Sequence, residues 1–167
     1  MLPTNLMVLS VSTPVLAKLG PIEKGGVIKI STRTNPDLKG VRTAIGGGPA
    51  LLSGGKVVSL KKPEKPSGSL AYSERSLFER HPRSALGWNE KHFFFIEVDG
   101  RQKNLSMGMT LAELSDYMIK LGCTEGMNLD GGGSATIWLN GKVMNSPCFG
   151  YLRNTATTFV LVRKEKL

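Results

Sequence analysis

Phe93-Phe94-Phe95-Ile96-Glu97-Val98, bounded by His92 and by Asp99-Gly100, is nearly all apolar and rich in β-forming side chains. A short run of this composition closed by turn residues predicts a central strand buried on both faces. Downstream, Thr110 with Glu113 at the third helical position forms a capping box, and Leu111, Leu114, Met118 and Leu121 make an apolar stripe ended by Gly122. Met127 to Leu129 reads as a further strand and the glycine run after it as a turn. Ala135 to Leu139 then pairs with Lys142 to Met144 through Asn140-Gly141, a two-residue hairpin connection. Thr157 to Arg163 closes the chain as a strand.

Upstream, Lys61 to Arg80 carries Pro63, Pro66 and Gly68 without sustained periodicity, which predicts a long surface loop. Ala50 to Val58 suggests a hairpin turned at Ser53-Gly54-Gly55. Ile28 to Ser31 alternates apolar and polar like a half-exposed strand, which Val27 begins. A short helix lies between Thr13-Pro14 and Gly20-Pro21, with Thr13 as its cap, and Leu6 to Ser10 reads as a strand before it. Many strands and few helices, in no regular alternation, predict an α+β fold: a mixed or antiparallel sheet with a few short helices packed on it.

The 167 residues, 40% of them hydrophobic, suit one domain over 1–167. A formal charge of +9, from 22 basic and 13 acidic residues, favours anionic partners. Nucleic acid is not expected among them, because the basic residues are not interleaved with aromatics for base stacking. No apolar run approaches the roughly 18 residues of a membrane span. The opening, Met1 to Ala17, lacks a basic leading segment and contains Pro14, so it reads as folded chain and not as a leader. Cys123 and Cys148 allow at most one disulfide. With His81 and His92 the only histidines, a structural zinc site has no support.

Asp130-Gly131-Gly132-Gly133-Ser134 sets a carboxylate at a strand end before three residues free to adopt positive φ, so backbone amides can converge on an anion. A hairpin turn is the bland alternative, but three glycines exceed what a hairpin needs. Ala44-Ile45-Gly46-Gly47-Gly48-Pro49 repeats the pattern, and either walls the same pocket or is structural. Asp99-Gly100-Arg101 joins a carboxylate to a bidentate cation. Arg80-His81-Pro82-Arg83 gathers two guanidiniums and an imidazole, in a functional site or simply on an exposed basic loop. No base stands beside Ser134 to make it a nucleophile.

Six stretches in order resemble the phosphodiester glycosidase family: Ala44 to Pro49, His81-Pro82-Arg83-Ser84-Ala85, Val98 to Arg101, Gly108-Met109-Thr110-Leu111, Asn128-Leu129-Asp130-Gly131-Gly132-Gly133-Ser134, and Asn140-Gly141-Lys142-Val143. The resemblance implies a hydrolase that releases a sugar, N-acetylglucosamine among the candidates, from a sugar-1-phosphodiester on exopolysaccharide or glycoconjugate. It implies catalytic roles for Asp130, Asp99 and His81. Arg83, Arg101, Asn128, Gly131, Gly132, Gly133, Ser134, Gly47, Gly48 and Arg153 would then bind the substrate and its phosphate, with no metal or other cofactor required. An extracellular or cell-envelope location follows from the same likeness. Family members usually carry a further upstream segment, so the chain is expected to be amino-terminally incomplete and to form a homodimer through an exposed sheet edge. Two alternatives stay open: an inactive glycan- or phosphate-binding module, and a phosphodiesterase holding a divalent cation with Asp99, Asn128 and Asp130.

Overall fold

The computed structural model describes residues 8–31, 33–34, 37–61 and 73–162. The chain divides into two compact units, Met1–Arg42 and Thr43–Leu167. In the first, helix α1 (Thr13–Leu19) is two turns long, with Pro14 in its first turn and Gly20 leaving at φ 70°. Ser12, not Thr13, stands at the N-cap, because Thr13 already has helical geometry. Neither expected strand forms there. Residues 8–10 and 27–31 are exposed and pair with no strand among the described residues, since period-two polarity alone supplies no neighbouring strand; Leu6 and Met7 lie outside the described residues.

The second unit holds a five-stranded sheet in the order β2-β1-β5-β3-β4, every described pairing antiparallel. Its strands are β1 (Ala50–Ser53), β2 (Lys56–Val57), β3 (Arg83–Trp88), β4 (Phe93–Val98) and β5 (Glu125–Asn128). Strands β1 and β2 form the expected hairpin, turned at Gly54-Gly55, both at positive φ. A separate ribbon pairs β6 (Trp138–Leu139) with β7 (Lys142–Val143) across Asn140-Gly141. The fold is α+β.

Helix α3 (Leu111–Lys120) packs on β1, β2 and β5. Its capping box is complete: Glu113 N donates to Thr110 Oγ1 and Thr110 N to the Glu113 carboxylate. Leu111, Leu114 and Met118 are buried with Leu51, Leu52 and Ala85, and each large side chain contributes about 1.5–3 kcal/mol by leaving water. Leu121 is excluded from that stripe, because it caps the helix and is exposed. Gly122 takes φ 87° just beyond.

Three further expectations fail. β4 is an edge strand of the described sheet, not a central one: Phe94, Ile96 and Val98 pack on the core, whereas Phe93 and Phe95 are exposed. Its outward aromatics are used in a surface cluster, with Phe93 stacked on Trp88 at 5.8 Å and Phe95 against Phe159 at 5.3 Å between ring centroids. Within the expected loop at 61–80, Glu74–Phe78 forms helix α2, capped where Ser73 Oγ accepts from Ser76 N; residues 62–72 lie outside the described part. Residues 157–162 are not a strand, and Arg163 is outside the described residues.

Candidate active site

The antiparallel pairing of β3 with β5 sets Arg83, where β3 begins, near Asn128, where β5 ends. Chain segments leaving these two ends, with α2, enclose a cleft of about 870 Å³. One wall is Gly46 to Gly48. Gly48 N donates to Asn128 O at 2.7 Å, and a Cβ on Gly47 would lie 2.7 Å from that oxygen, so only glycine lies flush against the strand end.

A second stretch of the lining is Asp130-Gly131-Gly132, leading into a 3-10 turn at Gly132–Ser134. Three amides of this turn are spent within the fold. Gly132 N donates to Pro82 O, Ser134 N to Gly131 O and Ala135 N to Gly132 O. Packing accounts for two of the glycines: a Cβ on Gly131 would lie 2.6 Å from Pro82 O, and one on Gly133 would strike the Phe149 ring. Gly132 alone of the three adopts positive φ, at 62°. A methyl there would lie 3.2 Å from both terminal nitrogens of Arg101, so the guanidinium rests against this turn.

Arg101 is exposed and reaches that position from a left-handed backbone at φ 58°, uncommon for a residue with a Cβ. Its Nη2 lies 3.4 Å from His81 Nδ1, and His81 Nε2 lies 3.2 Å from Arg75 O. Burial holds the His81 imidazole below its ordinary pKa; the Arg75 carbonyl opposes this, and the charges of Arg83 and Arg101 reinforce it.

Arg83 lines the cleft, but its guanidinium is committed to the fold. At 5% exposure it donates from Nε to Met109 O, from Nη1 to Ser76 O and from Nη2 to Glu79 O, each at 2.8 Å. Burial, then the charge of Arg101, lowers its pKa to about 10. Asn128 is likewise fixed: Nδ2 donates to Gly48 O and Leu129 O, which leaves Oδ1 buried without a partner among the described residues. Asp130 lines the cleft, and its carboxylate makes no hydrogen bond or ion pair among the described residues.

The expected site residues therefore divide. His81, Arg83, Arg101, Asn128, Asp130, Gly131, Gly132, Gly47 and Gly48 share the cleft. Asp99 does not line it: Oδ1 accepts from Ser146 N at 2.8 Å and Asn145 Nδ2 at 3.3 Å, tying the segment after β7 to the end of β4. Of the cation ligand set, Asn128 and Asp130 line the cleft and Asp99 does not. Gly133, Ser134 and Arg153 also fall outside the lining, and the Arg153 stem flanks Gly133. Sequence reasoning missed Ser73, Arg75 and Ser76, which α2 brings to the cleft. The signal was present in Ser73-Glu74-Arg75-Ser76, a capped helix start masked by the prolines before it.

Fold and cleft together define an α+β domain with a cation-rich, glycine-walled pocket at the ends of paired strands. Residues 9–162 match the family model described as phosphodiester glycosidase, and the chain belongs to that family. It is 31% identical over 103 residues to the prophage-derived protein YomE of Bacillus subtilis, covering 61% of this chain and 16% of that one. It is 36% identical over 66 residues to the N-acetylglucosamine-1-phosphodiester alpha-N-acetylglucosaminidase of Bos taurus, covering 39% of this chain and 12% of that enzyme. The matches thus span less than a fifth of either relative. A solved structure of a hypothetical protein from Synechocystis shares the fold, with a TM-score of 0.50 and 23% identity over 64% of this chain and 18% of that one.

Proposed function

We propose that the chain acts as one domain that hydrolyses a sugar-1-phosphodiester, with N-acetylglucosamine as the sugar and an exopolysaccharide or glycoconjugate as the carrier. The observation that carries this reading is the pairing, in one cleft, of the Arg101 guanidinium against Gly132 with the unpartnered carboxylate of Asp130. Among the described residues, the positive charge lining the cleft has no carboxylate committed to it except that of Glu79, which Arg75 holds.

Water adds its oxygen to the anomeric carbon as the bond from that carbon to the phosphate oxygen breaks. The bonding pair leaves on phosphate, and the proton of water passes to Asp130. A phosphate monoester is stable as an anion, its last proton having a pKa of about 6, so the departing group needs charge neutralisation more than an acid. Arg101 supplies it and Asp130 serves the sugar side as base for water. The same reading places the protein outside the cell or in its envelope, and the unpaired edge of β4 is where two copies would join.

The test is release of free sugar from a benzyl phosphodiester of N-acetylglucosamine-1-phosphate. Asp130→Asn is expected to lower kcat by about 10²–10⁴-fold, the range for loss of a positioned base. Binding of this diester by the wild-type protein with no sugar released would replace the hydrolase by a binding module.

A further inference from the structure

We propose that His81 is a positioning residue, a neutral imidazole carrying its proton on Nε2, that links helix α2 to the Arg101 guanidinium in place of shuttling a proton. Its two ring nitrogens already have partners of opposite kind. Nε2 faces the Arg75 carbonyl at 3.2 Å, and a carbonyl can only accept, so this nitrogen bears the hydrogen. Nδ1 faces Arg101 Nη2 at 3.4 Å, and a guanidinium can only donate, so this nitrogen presents its lone pair. Together they form a directional chain from the α2 backbone through the ring to the cation of the cleft.

The backbone holds the ring in place: His81 N and O exchange hydrogen bonds with Met109, and Pro82 follows. The cations around the imidazole oppose its protonation, and the Glu79 charge favours it. Arg83 approaches from β3 and Arg101 from the loop after β4. Glu79, at the end of α2, stands 4.0 Å from Nε2, but both its oxygens receive the Arg75 Nε hydrogen bond. An imidazolium would also turn a hydrogen toward Arg101 and break the Nδ1 contact. His81 therefore aims Arg101, whose guanidinium makes no other hydrogen bond among the described residues.

The proposal rests on the reading of the cleft as a phosphate site, and the experiment separates the two. In uniformly ¹⁵N-labelled protein carrying His92→Gln, the single remaining ring is read by long-range ¹⁵N–¹H correlation at neutral pH. The expected pattern is a protonated Nε2 and a bare Nδ1. An imidazolium, or a proton on Nδ1, overturns the proposal whatever the cleft binds. Inorganic phosphate is then titrated calorimetrically into the wild type and variants. Arg101→Ala and His81→Ala are each expected to weaken binding by about tenfold, and the double variant by little more than Arg101→Ala alone, since contacting residues do not add. His81→Asn, whose Oδ1 can stand in for Nδ1, recovers most of the loss. Fully additive losses, or no recovery by asparagine, refute the link. Absence of phosphate binding by the wild type refutes the phosphate reading, while the ring signals still decide the state of His81.

Discussion

Replacing Arg83 by methionine keeps the apolar stem and removes the donors, which isolates what the guanidinium does. Three carbonyls lose this donor: Ser76 O and Glu79 O at the end of α2, and Met109 O ahead of α3, which keeps the hydrogen bond from His81 N. A hydrogen bond from a charged donor has a net worth of about 1.5–3 kcal/mol, so independent bonds would total well above 5 kcal/mol. Two effects reduce that sum. Glu79 is exposed, so its carbonyl can take water, and the variant regains the cost of desolvating a cation whose pKa is driven down to about 10. A net loss of about 2–4 kcal/mol is expected, which for a chain of this size lowers Tm by roughly 5–15 °C. Thermal unfolding followed by circular dichroism measures it, and limited proteolysis should show earlier cutting within 73–79. Arg83→Lys should restore about one of the three bonds. A loss below about 1 kcal/mol, the scale of a surface ion pair, would show that the guanidinium does not anchor α2.

Glu97 is the second test: burial first, then the charge of Asp99, raises its pKa from 4.5 to about 7, against a hydrogen bond from Asn145. The folded state therefore holds this proton more tightly than the unfolded chain, and the stability it contributes is full below pH 4.5 and lost as pH rises through about 7. Glu97→Gln should flatten that slope and raise stability at pH 8 by about 2 kcal/mol, read from urea midpoints across pH; an unchanged slope would refute the assignment. Gly108 has φ 92°, and a Cβ there would overlap the His81 carbonyl, so Gly108→Ala should cost more than about 2 kcal/mol by breaking the His81–Met109 bridge. A melting temperature within 2 °C of wild type, at roughly 2–4 °C per kcal/mol, would show that the loop yields instead.

Local chemistry was legible where it was self-contained. The Thr110–Glu113 capping box, the Asn140-Gly141 ribbon turn and the Gly54-Gly55 hairpin each lie within a few residues, and each formed as the sequence indicated. Strand position was not legible in the same way. An all-apolar run such as Phe93 to Val98 looks the same whether its outer face meets another strand or a surface aromatic cluster, and only the partners distinguish the two. Residues 27–31 and 157–162 had strand-like composition but found no neighbour among the described residues.

The primary structure by itself determined the α+β class, the family and the glycine runs at which two segments come together. Tertiary structure decided what those residues do, because a hydrogen-bonding group can be spent only once. Arg83 and Asp99 are the same side chains in either reading, yet one turns its donors to α2 and the other its acceptor to Ser146. Asp130 and Arg101 remain available to a ligand because nothing folded nearby has used them fully.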